Sequence, residues 1–207
     1  MTTFSFVFGL YSIIASLSIT HMLTGIVALT RGRGNVRYSL AHALWVWVAF
    51  AVVIANWQSQ WALRGLDIWP AWSVLLLIST ALAQFIFCAF VTPEVKADED
   101  INLHEFHERE RIRFISAFLV LIGIAILYNF SFGLTGAYNN WLYDNIVSLA
   151  LGILAVVAIR FRNRKIQTII AIILALISTQ FLITASHIVE TPSAPTSRIS
   201  PLGGNTP

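Results

Sequence analysis

Along this chain the apolar residues come in long blocks, not in the every-third-or-fourth stripes of a water-soluble helix. Each block must therefore face lipid or another block. A helix that crosses a bilayer needs about 20 mostly apolar residues. Six blocks qualify, at residues 4–30, 39–61, 70–92, 113–132, 141–159 and 166–189. The pattern predicts an all-α fold: one membrane domain, residues 1–190, built as a bundle of six transmembrane helices. Three polar connectors, RGRGNVRYS, TPEVKADEDINLHEFHERERIR and RFRNRKIQ, alternate with RGLDI and SFGLTGAYNN.

Charge gives the bundle a direction. Placing the first connector inside puts Arg31, Arg33, Arg37, Lys96, Arg109, Arg111, Arg113, Arg160, Arg162, Arg164 and Lys165 on the inner side. Only Arg64 and Arg198 remain outside. Lys and Arg resist translocation, so this bias predicts that the N-terminus and the C-terminus both lie outside. Trp57, Trp61, Trp69, Trp72, Tyr138, Trp141 and Tyr143 cluster near the proposed outer boundary, where aromatic rings favour headgroup depth. Trp45 and Trp47 lie nearer the inner face.

Composition agrees. Of 207 residues, 57% are hydrophobic and 11% charged, against about 25% charged in a typical soluble domain. Mean hydropathy is +0.75. The net charge of +3 sits between apolar blocks, so it reads as topology and headgroup contact, not as a nucleic-acid surface. The lipid bilayer is the expected partner, with a homo-oligomer or another membrane protein as further candidates. The single cysteine, Cys88, lies within an apolar block and reads as a small buried hydrophobe. The first block lacks a preceding Lys or Arg, so a retained span is expected there, not a cleaved signal.

Local signals set the ends. Thr92-Pro93 should stop the third span. Asn102 with Glu105 three residues on should start a charged helix that runs into the fourth span. Glu105 and Arg109, four apart, are placed to pair. Residues 191–207, rich in Pro, Ser, Thr and Gly, read as a disordered tail.

Few polar residues interrupt the blocks. In the first span Ser18, His21 and Gly25 share a face, beside a stripe of small residues that includes Ser12, Ser16, Thr20 and Thr24. Small residues let membrane helices approach closely. This predicts an interior first helix with His21 pointing into the bundle, its bland role a neutral ring bonded to a hydroxyl or carbonyl. Intramembrane ionisable groups are also functional candidates. His42 reads as an interfacial residue. His104 and His107, flanked by Glu105 and Glu108, have the spacing of a metal-binding pair, but a solvated charged face explains them as well. Together His21, His42, His104, His107, Glu105 and Glu108 form a candidate polar site on the inner side. Asp144, His187 and Glu190 form an outer one. Asn56, Gln58 and Gln60 read as snorkelling toward the outer interface. Gln84 and Gln180 are the clearest mid-membrane groups and could bond across helices.

The depths of His21, His42 and His187 count against a bis-histidine haem. Other chemistry is excluded more easily. No Gly-x-Ser-x-Gly, phosphate-cradling Gly-rich loop or His-Glu-x-x-His is present. No line of acids marks an ion path. The sequence assigns no cofactor, no metal and no catalytic residue.

The order THMLTG in the first span, HALWVW in the second, TPE after the third and LHEFHERERIRF leading into the fourth resembles a loosely defined set of small bacterial multi-pass integral membrane proteins. The resemblance implies a bacterial inner (plasma) membrane location and brings no established activity. The leading expectation is a non-enzymatic membrane protein that binds or passes a small solute or serves as a membrane subunit. The alternatives are a metal- or haem-binding redox protein using the inner histidines, and an intramembrane enzyme on lipid-like substrates with an inner histidine as base.

Overall fold

The computed structural model of the protein describes residues 2–31, 36–66, 69–94, 100–133 and 141–190. Side chains at 133, 141–144 and 188–190 lie outside that description, as do Arg33, Lys96, Tyr138, the side chains of Asp144 and Glu190, and the 191–207 tail. The described residues form α1 (Thr3–Arg31), β1 (Val36–Arg37), α2 (Leu40–Ser59), a 3-10 segment (Gln60–Gly65), α3 (Ala71–Val91), β2 (Ile101–Asn102), α4 (Leu103–Gly133), α5 (Trp141–Arg160) and α6 (Arg164–Glu190). The described residues are therefore all-helical in their regular structure apart from a two-residue parallel pairing of β1 with β2.

Among the described residues five helices are long and apolar enough to cross a membrane: α1, α2 with its 3-10 extension, α3, α4 and α6. Over its fully described part, Asn145–Arg160, α5 is shorter. Observed ends fall close to the expected ones, and their causes are visible. Ser39 Oγ accepts from the His42 amide at the start of α2. Asn102 Oδ1 accepts from the His104 amide, so the charged lead-in and the fourth span are one 31-residue helix. At 1.5 Å per residue α4 runs about 46 Å, beyond the roughly 30 Å hydrocarbon core of a bilayer. The third helix stops at Val91, before Thr92-Pro93. On α4, Arg109 and Arg113 both pair with Glu110, at 3.1 and 2.8 Å, so the expected Glu105–Arg109 pair is replaced by a closer partner.

Neighbours around the bundle run α1, α3, α4, α5, α6, α2 and back to α1, with α2 also touching α3 and α4. The most extensive faces are α2 on α6 and α3 on α4. Trp45, Phe87, Phe114 and Phe118 are buried together in the interior. Cys88 is fully buried among these apolar neighbours, as expected. The outer surface is apolar too: Leu75, Ile153 and Leu176 are 65%, 65% and 66% exposed.

The first helix departs from expectation. Half of the α2 span window is buried but only 17% of that of α1, so α1 lies at the edge of the bundle. Its packed face is Val7, Tyr11, Ala15, Ser18 and Met22, and His21 is exposed with its ring beside Phe85. The hydroxyls of Ser12, Ser16 and Thr24 bond back to carbonyls four residues earlier in their own helix. Ser12 Oγ also accepts from Trp57 Nε1 of α2 at 2.9 Å, while Ser16 and Thr24 stay exposed, so Tyr11 and Met22, not the hydroxyl stripe, form the packed face. A close approach occurs at Gly25, where a Cβ would collide with the Thr92 methyl. Gly25→Val is expected to loosen α1 from α3 and to cost about 1–3 kcal/mol of stability. Denaturant titration in micelles checks this, and a variant as stable as the parent would mean that α1 has room to move.

The three arginine-bearing connectors gather at one end. Pairing of β1 with β2 ties the first to the second, and Arg162 and Arg164 of the third share a cavity with Ser39, His104 and Arg111.

Candidate functional site

That cavity is lined mostly by polar and charged residues, is about 440 Å³ in volume, and lies between the starts of α2, α4 and α6 and the end of α5. Leu103 begins α4, and helical periodicity turns His104, His107 and Arg111 to one side, at intervals of three and four residues. All three line the cavity, with Glu108 beside them. His107 and Arg111 are each only 5% exposed. Across from them stand Arg162, Arg164, Gln167 and Thr168.

Arg111 is anchored. One Nη1 donates to the carbonyls of Ala158 (3.3 Å) and Phe161 (2.9 Å), at and just beyond the C-terminal end of α5. Gln167 Nε2 donates to the same two carbonyls. Four donor contacts thus close the α5–α6 junction, and a cation sits where the helix dipole is negative. Because Gln167 spends its amide nitrogen there, its Oε1 is left without a hydrogen-bond partner.

His107 stands in contact with His42, their ring centroids 5.9 Å apart and nearly perpendicular. Phe106 and Phe114 flank His42, and Phe114 also touches His107. None of the four nitrogens on these two rings makes a hydrogen bond of good geometry, although all are buried. Buried polar atoms are nearly always satisfied, so two adjacent imidazoles in this condition mark the place where a ligand or water is called for.

The sequence-predicted residues divide clearly. His42 and His107 meet, and His104 and Glu108 line the same cavity. Glu105 is exposed, outside the cavity lining. His21 is remote on the edge helix and does not join them. His42 is thus a buried neighbour of His107, and His107 is not on a solvated face. On the other side His187 is exposed. Among the described residues no three His, Cys, Asp or Glu side chains are close enough to hold a metal ion. Arg111 and Gln167 were not singled out as site residues by sequence. The i, i+4 step from His107 to Arg111 was the available signal.

A second, smaller cavity of about 220 Å³ lies deeper in the bundle, among Asn56, Gln60, Thr80, Tyr128, Asn129 and apolar residues. Here the Tyr128 hydroxyl donates to Gln60 Oε1 (2.5 Å), Asn129 to Asn145 Oδ1 (3.0 Å) and Asn56 to Gln84 Oε1 (2.9 Å). Asn56 and Gln60 therefore turn inward instead of snorkelling, because amides on facing helices satisfy one another away from water. The cross-helix bond expected of Gln84 is present, whereas Gln180 is exposed.

Comparison with family models, curated proteins and solved structures finds no match to this chain.

Proposed function

We propose that this chain is a non-enzymatic, multi-pass protein of a bacterial inner membrane that binds a small solute in the cavity at its arginine-rich end. In this reading all six helices span the bilayer, both termini are outside, and the cavity opens to the cytoplasm. The single observation that carries it is the cavity wall: the buried His107 imidazole, its ring against that of His42, beside three arginines, at the end of a bundle that is apolar on its outside. Gathering of the basic connectors at one end supports the orientation, since that end resists translocation. The resemblance to small bacterial membrane proteins supports the location.

Two measurements test this. Tags at both ends should be removed by protease added to intact spheroplasts. Thr168→Cys, on the cavity wall, should react with a membrane-impermeant maleimide in inside-out vesicles and not in right-side-out ones, while the fully buried Cys88 stays silent. A protected tag, or labelling from the outside, overturns the orientation.

A further inference from the structure

We infer that the cavity takes a phosphate group, carried by a soluble phosphate ester or by a lipid headgroup; this rests on the solute-binding reading above. Arg111, Arg162 and Arg164 face a cavity whose only acid, among the described residues, is Glu108. Among the described residues none of these arginines forms an ion pair. The excess positive charge calls for an anion.

Backbone geometry adds to this. The cavity is walled by the first turns of α2, α4 and α6: Leu40 and Ala41, His104 and His107, and Arg164 and Gln167. Helix N-termini carry partial positive charge and unsatisfied N–H groups, and three of them converge here. Independently of the backbone, His107 is buried, at 5% exposure, lines the cavity beside Gln167, and makes no hydrogen bond of good geometry from either ring nitrogen.

Donor number favours phosphate over carboxylate. A guanidinium presents five N–H donors in a planar fork. Carbonyl contacts hold Arg111 by one terminal nitrogen, Nη1. That fixes the group against the wall and leaves its other nitrogens for a ligand. A carboxylate has two oxygens and one charge. A phosphate ester has more oxygens to share among three guanidinium forks and an imidazole. The volume, about 440 Å³, exceeds that of a bare phosphate, so part of the ligand's body enters too. Glu108 repels an anion, which places the phosphate toward the Arg111, Arg162 and Arg164 side.

The Thr168→Cys protein provides the test. Its labelling rate from the cytoplasmic side is measured with glycerol 3-phosphate, and separately after reconstitution into phosphatidylcholine vesicles with or without phosphatidic acid. A ligand at twice its Kd fills two-thirds of the sites, so labelling should slow about threefold. Slowing by glycerol 3-phosphate identifies a soluble ester. Slowing only with phosphatidic acid identifies a headgroup. In either case the slowing should vanish in the Arg162→Gln/Arg164→Gln protein. Both positions are exposed, and Arg160 and Lys165 remain to hold the orientation. The unliganded labelling rate of that protein verifies its fold. Labelling that neither probe slows, or slowing that survives the arginine substitutions, overturns the phosphate assignment and leaves the solute pocket standing. A cysteine that never reacts from the cytoplasmic side overturns the pocket itself.

Discussion

Trp45→Ala is expected to destabilise the protein by about 3 kcal/mol, at the low end of what large aromatic deletions cost in soluble cores. Trp45 is fully buried, with its ring 5.2 Å from Phe114, 5.7 Å from Phe118 and 6.4 Å from Phe87. These contacts link α2 to α3 and α4, so the indole fills the joint where three helices meet. The low end follows from the solvent. In a bilayer the separated helices still face apolar neighbours, so the transfer part of the loss is small, while the cavity and its lost dispersion contacts remain. The indole N–H has no hydrogen-bond partner, so Trp45→Phe removes an unsatisfied donor while keeping a ring. That variant should change stability by about 1 kcal/mol or less. Denaturant titration in mixed micelles measures both. A Trp45→Ala midpoint equal to the parent's would show that this joint does not hold the helices together.

Arg111→Leu is expected to cost about 1.5–3 kcal/mol, the range for hydrogen bonds from a charged group. The loss is limited because Gln167 still donates to the Ala158 and Phe161 carbonyls. Gln167→Leu alone should likewise be tolerated, because Arg111 remains. Together the substitutions leave two carbonyls at the end of α5 without these donors. Their combined cost should exceed the sum of the singles by about 0.5–3 kcal/mol, the usual coupling of residues in one network. The same titration, applied to all four proteins, gives the coupling. Strict additivity would show that the two side chains act separately. Arg111→Lys should recover part of the loss, since it keeps the cation at the negative helix end but not the planar fork.

Much of the fold was legible before any coordinates. Block lengths placed the helix ends to within a few residues, and the charged helix expected to run into the fourth span is the first part of α4. Asn102 was recognisable as its cap, and Pro93 as a stop. Gathering of the basic connectors at one end follows from the alternation of blocks and turns. The two-residue β1–β2 pairing was invisible, because Val36-Arg37 and Ile101-Asn102 are too short to carry a period.

The candidate site was legible in part. His42, His104, His107 and Glu108 stood out because ionisable groups are rare in this chain. Their placement on one side was legible as well, but the same reading included His21, which lies apart on the edge helix beside Phe85. Arg111 looked like one more topology charge, although its side chain is turned inward and spent on the α5 carbonyls.

By itself the sequence determined the helical class, the positions of the turns and the side on which basic residues collect. Those properties follow from counting: run length against bilayer thickness, and charge per connector. Tertiary structure alone decided which face of each helix is inside. A helix that is apolar all round carries no polarity contrast to mark its packed face, so shape makes the choice. That choice turned His21 outward on α1, brought the rings of His42 and His107 together, and joined Gln60 to Tyr128 across the bundle.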